Sequence, residues 1–126
     1  MPYDKHMSTR GFRGATQLKA DSAEEMRSAV GELVREMIRI NDLPLESIVS
    51  ILFTATPDIH SSFPATAVRD LGFEQVPLIC AQEMDVPGAI RLTVRVLIHA
   101  NSDLKQSDVQ HVYLRGASVL RPDLAR

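Results

Sequence analysis

Tryptophan is absent, cysteine occurs once and aromatic residues make up only 5% of the 126 residues. The single cysteine, Cys80, cannot close an internal disulfide, and the stretch from Met1 to Ser8 has no apolar run of the kind a secretory signal carries. The expected compartment is the reducing cytoplasm. Long hydrophobic runs are also missing: the densest window, Ile48 to Ala55, falls well short of the ~18–20 apolar residues of a membrane span. Basic residues do not predominate, with 14 against 16 acidic ones and a net charge of −2. That balance argues against a nucleic-acid backbone as partner. The four histidines, His6, His60, His99 and His111, lack the i, i+4 spacing or paired cysteines of a metal site. No glycine-rich phosphate loop or nucleophile elbow occurs, and Gly11-Phe-Arg-Gly14 only superficially matches an RNA-binding GxxG loop. Metal, nucleic acid and membrane are thus not expected partners.

What is present is an ordinary globular composition, 44% hydrophobic and 24% charged, of a length that suits one domain. Residues 1–8 are polar and aperiodic and are read as a disordered leader, with Met7 a candidate start, leaving 9–126 as the domain. A chain of this size buries ~60–70% of its unfolded surface and needs no staple. Among its basic residues arginine outnumbers lysine by 11 to 3. The excess reflects either genome composition or a pocket for a small polyanion, since the planar guanidinium captures carboxylates and phosphates bidentately.

Periodicity supplies the elements. Arg10 to Thr16 alternates and reads as a short strand. Ser22-x-x-Glu25 is a capping box opening an amphipathic helix whose apolar positions Met26, Val30, Leu33, Val34, Met37 and Ile38 recur at threes and fours, ending near Asn41. Glu46 to Thr56 is rich in β-branched and apolar residues, as in a central strand covered on both faces. Pro64 opens a short helix from Ala65 to Leu71, and a second buried strand follows from Val76 to Gln82. Ile90 to Ala100 alternates, with Leu92, Val94, Val96 and Ile98 opposed to Arg91, Thr93, Arg95, Leu97 and His99. A last strand spans Gln110 to Arg115, and Val119 to Leu124 forms a turn of helix. The order β-α-β-α-β-β-β predicts an α+β fold, a mixed β-sheet with helices on one side.

The other face carries Arg13, Arg95, Tyr113 and Arg115, which suit solvent, an anion pocket or a subunit interface. Cys80 lies mid-strand among apolar neighbours and reads as an inert thiol rather than a nucleophile. Glu83, at a strand end, could accept a substrate hydroxyl or pair with Arg95; spacing leaves both open.

Taken as a set, several motifs are recognisable: Arg10-Gly-Phe-Arg-Gly-Ala-Thr16; Thr54-Ala-Thr-Pro-Asp58 with Phe63-Pro-Ala65 and Ala67-Val-Arg69; Cys80-x-Gln-Glu-Met-Asp-Val86; and His111-Val-Tyr113 with Val119-Leu-Arg-Pro-Asp-Leu124. In order and spacing, from about Arg10 to Leu124, they closely resemble the monofunctional AroH-type chorismate mutases. The resemblance implies an isomerase of aromatic amino acid biosynthesis (the shikimate pathway) that rearranges chorismate to prephenate without a cofactor. It further implies a homotrimer of pseudo α/β-barrel shape with active sites between neighbouring subunits. By matching position it implies that Arg95 meets the ether oxygen and a carboxylate, that Arg13 and Tyr113 hold a carboxylate, and that Glu83 and Cys80 lie at the ring hydroxyl. Phe63, Ala65, Leu78 and Leu120 match apolar lining, and Arg69 and Arg121 the charged surroundings. Thr66 departs from a lysine of the family pattern and Ile79 from a threonine, and the connection from Leu71 to Val76 is one residue short. These departures bear on entrance electrostatics and affinity.

Strand parity adds a constraint. Cys80 and Glu83 are three residues apart and face opposite ways in a regular strand, so one would serve one cleft and the other the next. Two competing readings are a trimeric RidA-like enamine/imine deaminase and a small-anion-binding module without catalysis. The Cys-x-Gln-Glu-Met-Asp segment and the Leu-Arg-Pro-Asp tail favour the mutase.

Overall fold

A computed structural model describes residues 7–120. Strands β1 (Ser8–Gln17), β2 (Ile48–Ala55), β3 (Leu78–Gln82), β4 (Thr93–Ser102) and β5 (Val112–Tyr113) form one sheet in the order β3-β2-β4-β1-β5, with helices α1 (Ala23–Ile40) and α2 (Thr66–Arg69) between them in sequence. Pairs β1–β4 and β2–β4 are antiparallel, β2–β3 and β1–β5 parallel, so the sheet is mixed as the element order predicts. Among the described residues no helix is long and apolar enough to cross a membrane.

The core lies between α1 and one face of the sheet. Met26, Val30, Leu33, Val34 and Met37 of α1 are buried with Phe12, Ile51, Phe53, Val94, Val96, Ile98 and Ala100 from alternate strand positions. Helix and sheet meet closely at Gly14, where a Cβ would come within 2.5 Å of Met37 Sδ and 3.1 Å of the Val112 carbonyl oxygen. Only glycine allows that approach. At the end of α1 the buried Asn41 ties helix to sheet: its amide donates to the Met37 and Gln110 carbonyls and accepts the Gln110 N–H.

Several boundaries differ from the sequence reading for local reasons. Strand β1 begins at Ser8, inside the stretch assigned to a leader, because Ser8 still pairs with Ser102; residues 1–6 lie outside the described residues. Strand β2 starts after a 3-10 turn at Leu45–Ser47 and is covered on one face only, leaving Leu52 and Thr54 partly exposed. Strand β3 is an edge strand, not a buried one, with Ile79 64% exposed. Strand β4 begins at Thr93 because Leu92 takes a left-handed conformation (φ 51°) and the Asp58 carboxylate accepts its N–H. The short helix is trimmed to Thr66–Arg69, and a 3-10 segment, Arg115–Leu120, holds the described part of the C-terminal turn.

Strand β5 stops at Tyr113, and Arg115, at φ 55°, leaves the sheet. Its guanidinium reaches Glu25 (2.7 Å) and Glu32 (3.2 Å) on α1, so it does not share the face of Arg13, Arg95 and Tyr113. The capping box is half formed in consequence. Ser22 Oγ accepts the Glu25 N–H, but the Glu25 carboxylate accepts from the Lys19 N–H and Arg115 instead of turning back to Ser22.

The Lys19 N–H bond and, less strongly, Arg115 hold the Glu25 carboxyl below its ordinary value of 4.5. A depressed folded-state value contributes stability above the unfolded value, lost as pH falls through the folded one. Arg115→Met should therefore lower the melting temperature at pH 7, by at most about 1 kcal/mol of stability for a partly exposed pair. Melts repeated at pH 3 should show a smaller difference. An equal loss at both pH values would assign the effect to packing of the arginine stem.

Candidate active site

The face of the sheet away from α1 carries a groove of about 210 Å³ lined by Arg13, Leu52, Thr54, Glu83, Arg95, Leu97 and Tyr113. Register builds it. Tyr113 lies beside Ala15, Ala15 beside Arg95 and Arg95 beside Thr54, forming one row across four strands; Arg13, Leu97 and Leu52 form the next. Ala15 contributes only a methyl group between Tyr113 and Arg95, which leaves the floor low. Glu83 enters from just beyond β3, its N–H donating to the Ala55 carbonyl at 2.9 Å. Glu83 Oε1 accepts the Thr54 hydroxyl at 2.6 Å and lies 3.4 Å from Arg95 Nε. Both contacts use Oε1, so the second oxygen has no protein partner among the described residues. The two roles left open for Glu83 are thus compatible: one oxygen pairs with Arg95 and the other can accept a ligand hydroxyl.

Arg13 is fixed through its backbone, whose N–H donates to His111 Nδ1 at 3.1 Å. Two guanidiniums against one carboxylate give the groove an excess of positive charge, and the planar fork of arginine matches a carboxylate group. Among the described residues no three His, Cys, Asp or Glu side chains converge as they would around a metal ion.

A second, larger cavity of about 430 Å³ opens at the sheet edge, where Phe63, Pro64 and Cys80 face Ala55 and Gln82. Cys80 pairs with Phe53, whose side chain is in the core, so it lies on the opposite side of the sheet from Glu83. Burial raises the thiol above its ordinary value, opposed by a bond from the Ala65 backbone and, more weakly, by Arg69. That burial favours the protonated thiol over the thiolate. Ala65 is buried behind the cavity, the Thr66 hydroxyl donates to the Phe63 carbonyl at 2.6 Å, and Arg69 ends α2 at the surface. Leu78 is half-buried beside Ile51. Ile79 pairs with Leu52 on the other side and lines neither cavity. Leu120 packs against Ala15, Tyr113 and Ala117 and lines a third hollow with Glu83 and Arg95. Arg121 lies outside the described residues.

Apart from Ile79 and Arg121, the expected site residues fall into two groups that the chain keeps apart. Arg13, Glu83, Arg95 and Tyr113 line the groove on the bare face, with Leu120 in the hollow beside it, while Phe63 and Cys80 line the edge cavity, with the Ala65 backbone at Cys80, Thr66 and Arg69 in α2 and Leu78 at the start of β3; the two cavities share no lining residue. Leu52 and Thr54 line the groove although the sequence points to neither as a site residue, and His111 supports it from behind through the Arg13 backbone. Parity within β2 could have identified the first two, had the strand not been read as buried on both faces.

A family model described as chorismate mutase type I matches residues 9–124. The chain belongs to this family. It is 43% identical to chorismate mutase AroH of Bacillus subtilis (strain 168) over 120 residues, covering 94% of each chain. It is also 43% identical to chorismate mutase AroH of Thermus thermophilus over 116 residues, 91% of this chain and 95% of the relative. Among solved structures, a chorismate mutase from Clostridium thermocellum, Cth-682, superposes with a TM-score of 0.85 at 40% identity, covering 86% of this chain and 97% of that one. Membership of the type I chorismate mutases accords with the motif resemblance and gives no support to the deaminase or anion-module readings.

Proposed function

We propose that the protein isomerises chorismate to prephenate by an intramolecular [3,3] rearrangement, as a homotrimer whose active sites lie between subunits. Family membership supports the reaction, and the groove chemistry suits it. A [3,3] shift breaks one C–O bond as one C–C bond forms in the same molecule, and calls for neither nucleophile nor proton transfer. What it needs is a flexible dianion held in its folded conformer and a donor where negative charge develops on the ether oxygen. Arg13 and Tyr113 would hold a carboxylate, Arg95 would meet the ether oxygen and a carboxylate, and Glu83 Oε2 would accept the ring hydroxyl.

The observation that carries the subunit arrangement is the separation of the two cavities across the sheet edge. A groove that holds the arginines and an edge cavity that holds Phe63 and Cys80 but no arginine would complete each other if a neighbouring copy supplied the missing half, which supports this arrangement. The test is the ultraviolet absorbance of chorismate with and without purified protein in buffer free of metals and cofactors, with light-scattering mass alongside. Rapid loss with prephenate as sole product, from a particle of about 42 kDa built from three 14.0 kDa chains, is expected. No loss from a folded trimer would mean a mutase scaffold put to another use, and Thr66 would be the first residue to suspect.

A further inference from the structure

Asp21 stands just before the α1 cap and takes no part in the chemistry proposed above. Its two carboxylate oxygens accept two consecutive backbone amides from a distant part of the chain, His60 N–H at 2.9 Å and Ser61 N–H at 3.0 Å. The ionised form is favoured there: the Ser61 side chain, and then the two backbone donors, hold the carboxyl below its ordinary value of 3.8. The segment so gripped has no sheet ladder or helix of its own. It runs directly into the wall of the edge cavity, since His60, Ser61, Phe63 and Pro64 all line it with Cys80. Within one chain little packs against the aromatic ring, since Phe63 is 68% exposed. Its attachments are at the two ends. Thr66 closes the far one, donating its N–H and hydroxyl to the Phe63 carbonyl, and Asp21 holds the near one.

We infer that Asp21 is a positioning residue: a bidentate tether from the β1–α1 link that fixes the 60–63 segment, and through it the Phe63 wall against which substrate is bound. The inference rests on the mutase reading for its effect on substrate, but the tether itself is a property of the chain. A wall that contacts ground state and transition state alike acts on binding, so KM should move and kcat should not.

The experiment compares Asp21→Ala and Asp21→Asn with Ser22→Ala. The Ser22 variant removes the neighbouring α1 cap and carries the structural damage of this corner without touching the loop. Amide hydrogen exchange, read by NMR without substrate, should quicken about tenfold or more at His60 and Ser61 in Asp21→Ala, less in Asp21→Asn, which keeps one acceptor oxygen, and not in Ser22→Ala. Chorismate KM should rise about five- to tenfold in Asp21→Ala with kcat within about twofold of the parent, while Ser22→Ala leaves both unchanged. Unchanged exchange at both amides overturns the tether. Faster exchange with an unchanged KM overturns its role in positioning, and an equal KM rise in Ser22→Ala reduces Asp21 to a structural residue. A parent protein that does not turn over chorismate sinks the mutase reading instead, and the exchange comparison still decides the tether.

Discussion

Arg95→Ala should lower kcat for chorismate by at least about 10²–10³, because loss of a preorganised donor at a developing oxyanion costs about 2.7–4 kcal/mol. The geometry explains why this arginine is the one to remove. It stands on β4, paired on one side with β1 and on the other with β2, so its backbone is fixed by two ladders. Glu83 braces its Nε from the side at 3.4 Å, and Ala15 leaves the guanidinium room toward Tyr113. The fold should tolerate the change, since the side chain is 46% exposed and the ion pair with Glu83 contributes little at that exposure. Arg95→Lys keeps the charge but not the planar fork and should recover only part of the rate. Single-turnover kinetics with a parallel melt would check both variants. A drop in rate constant below tenfold for a fully folded Arg95→Ala protein would remove Arg95 from the mechanism.

The two ladders that fix Arg95 were visible in the sequence as alternation. Val94, Val96 and Ile98 on one side and Arg95, Leu97 and His99 on the other can be satisfied only by a strand with one face in the core, and β4 is that strand. The α1 stripe was equally legible for the same reason. Where legibility failed, a single side chain redirected the backbone. Asp58, reaching 34 residues along the chain to the Leu92 N–H, sets the start of β4, and Arg115 leaves β5 for Glu25 and Glu32, a pairing 90 and 83 residues apart. Long-range polar contacts of this kind leave no periodic trace. The face-sharing of Arg13, Arg95 and Tyr113 was legible from parity, but the Thr54–Glu83 and Arg13–His111 hydrogen bonds were not, since they depend on which strands become neighbours. Parity also separated Cys80 from Glu83, and the two residues lie on opposite sides of the sheet.

That separation yields the second large effect. If each site takes Arg95 from one subunit and Phe63 from the next, Arg95→Ala and Phe63→Ala damage complementary halves. Assayed at chorismate concentrations well below the parent KM, each variant alone is expected to be severely impaired, Arg95→Ala through kcat and Phe63→Ala through weakened binding, since all its sites carry the lesion. When the two are unfolded together in equal amounts and refolded, chance assembly places an intact Arg95 half against an intact Phe63 half at about one site in four. Activity should therefore rise from the background of either variant to about a quarter of the parent level, a large recovery without any new intact chain. Variants refolded separately and then combined should show no such rise unless subunits exchange. Mass spectrometry of differently tagged chains would establish that mixed trimers formed. Mixed trimers without recovery would place Arg95 and Phe63 in the same subunit's site, and the edge cavity would then need a different role from the one proposed for it.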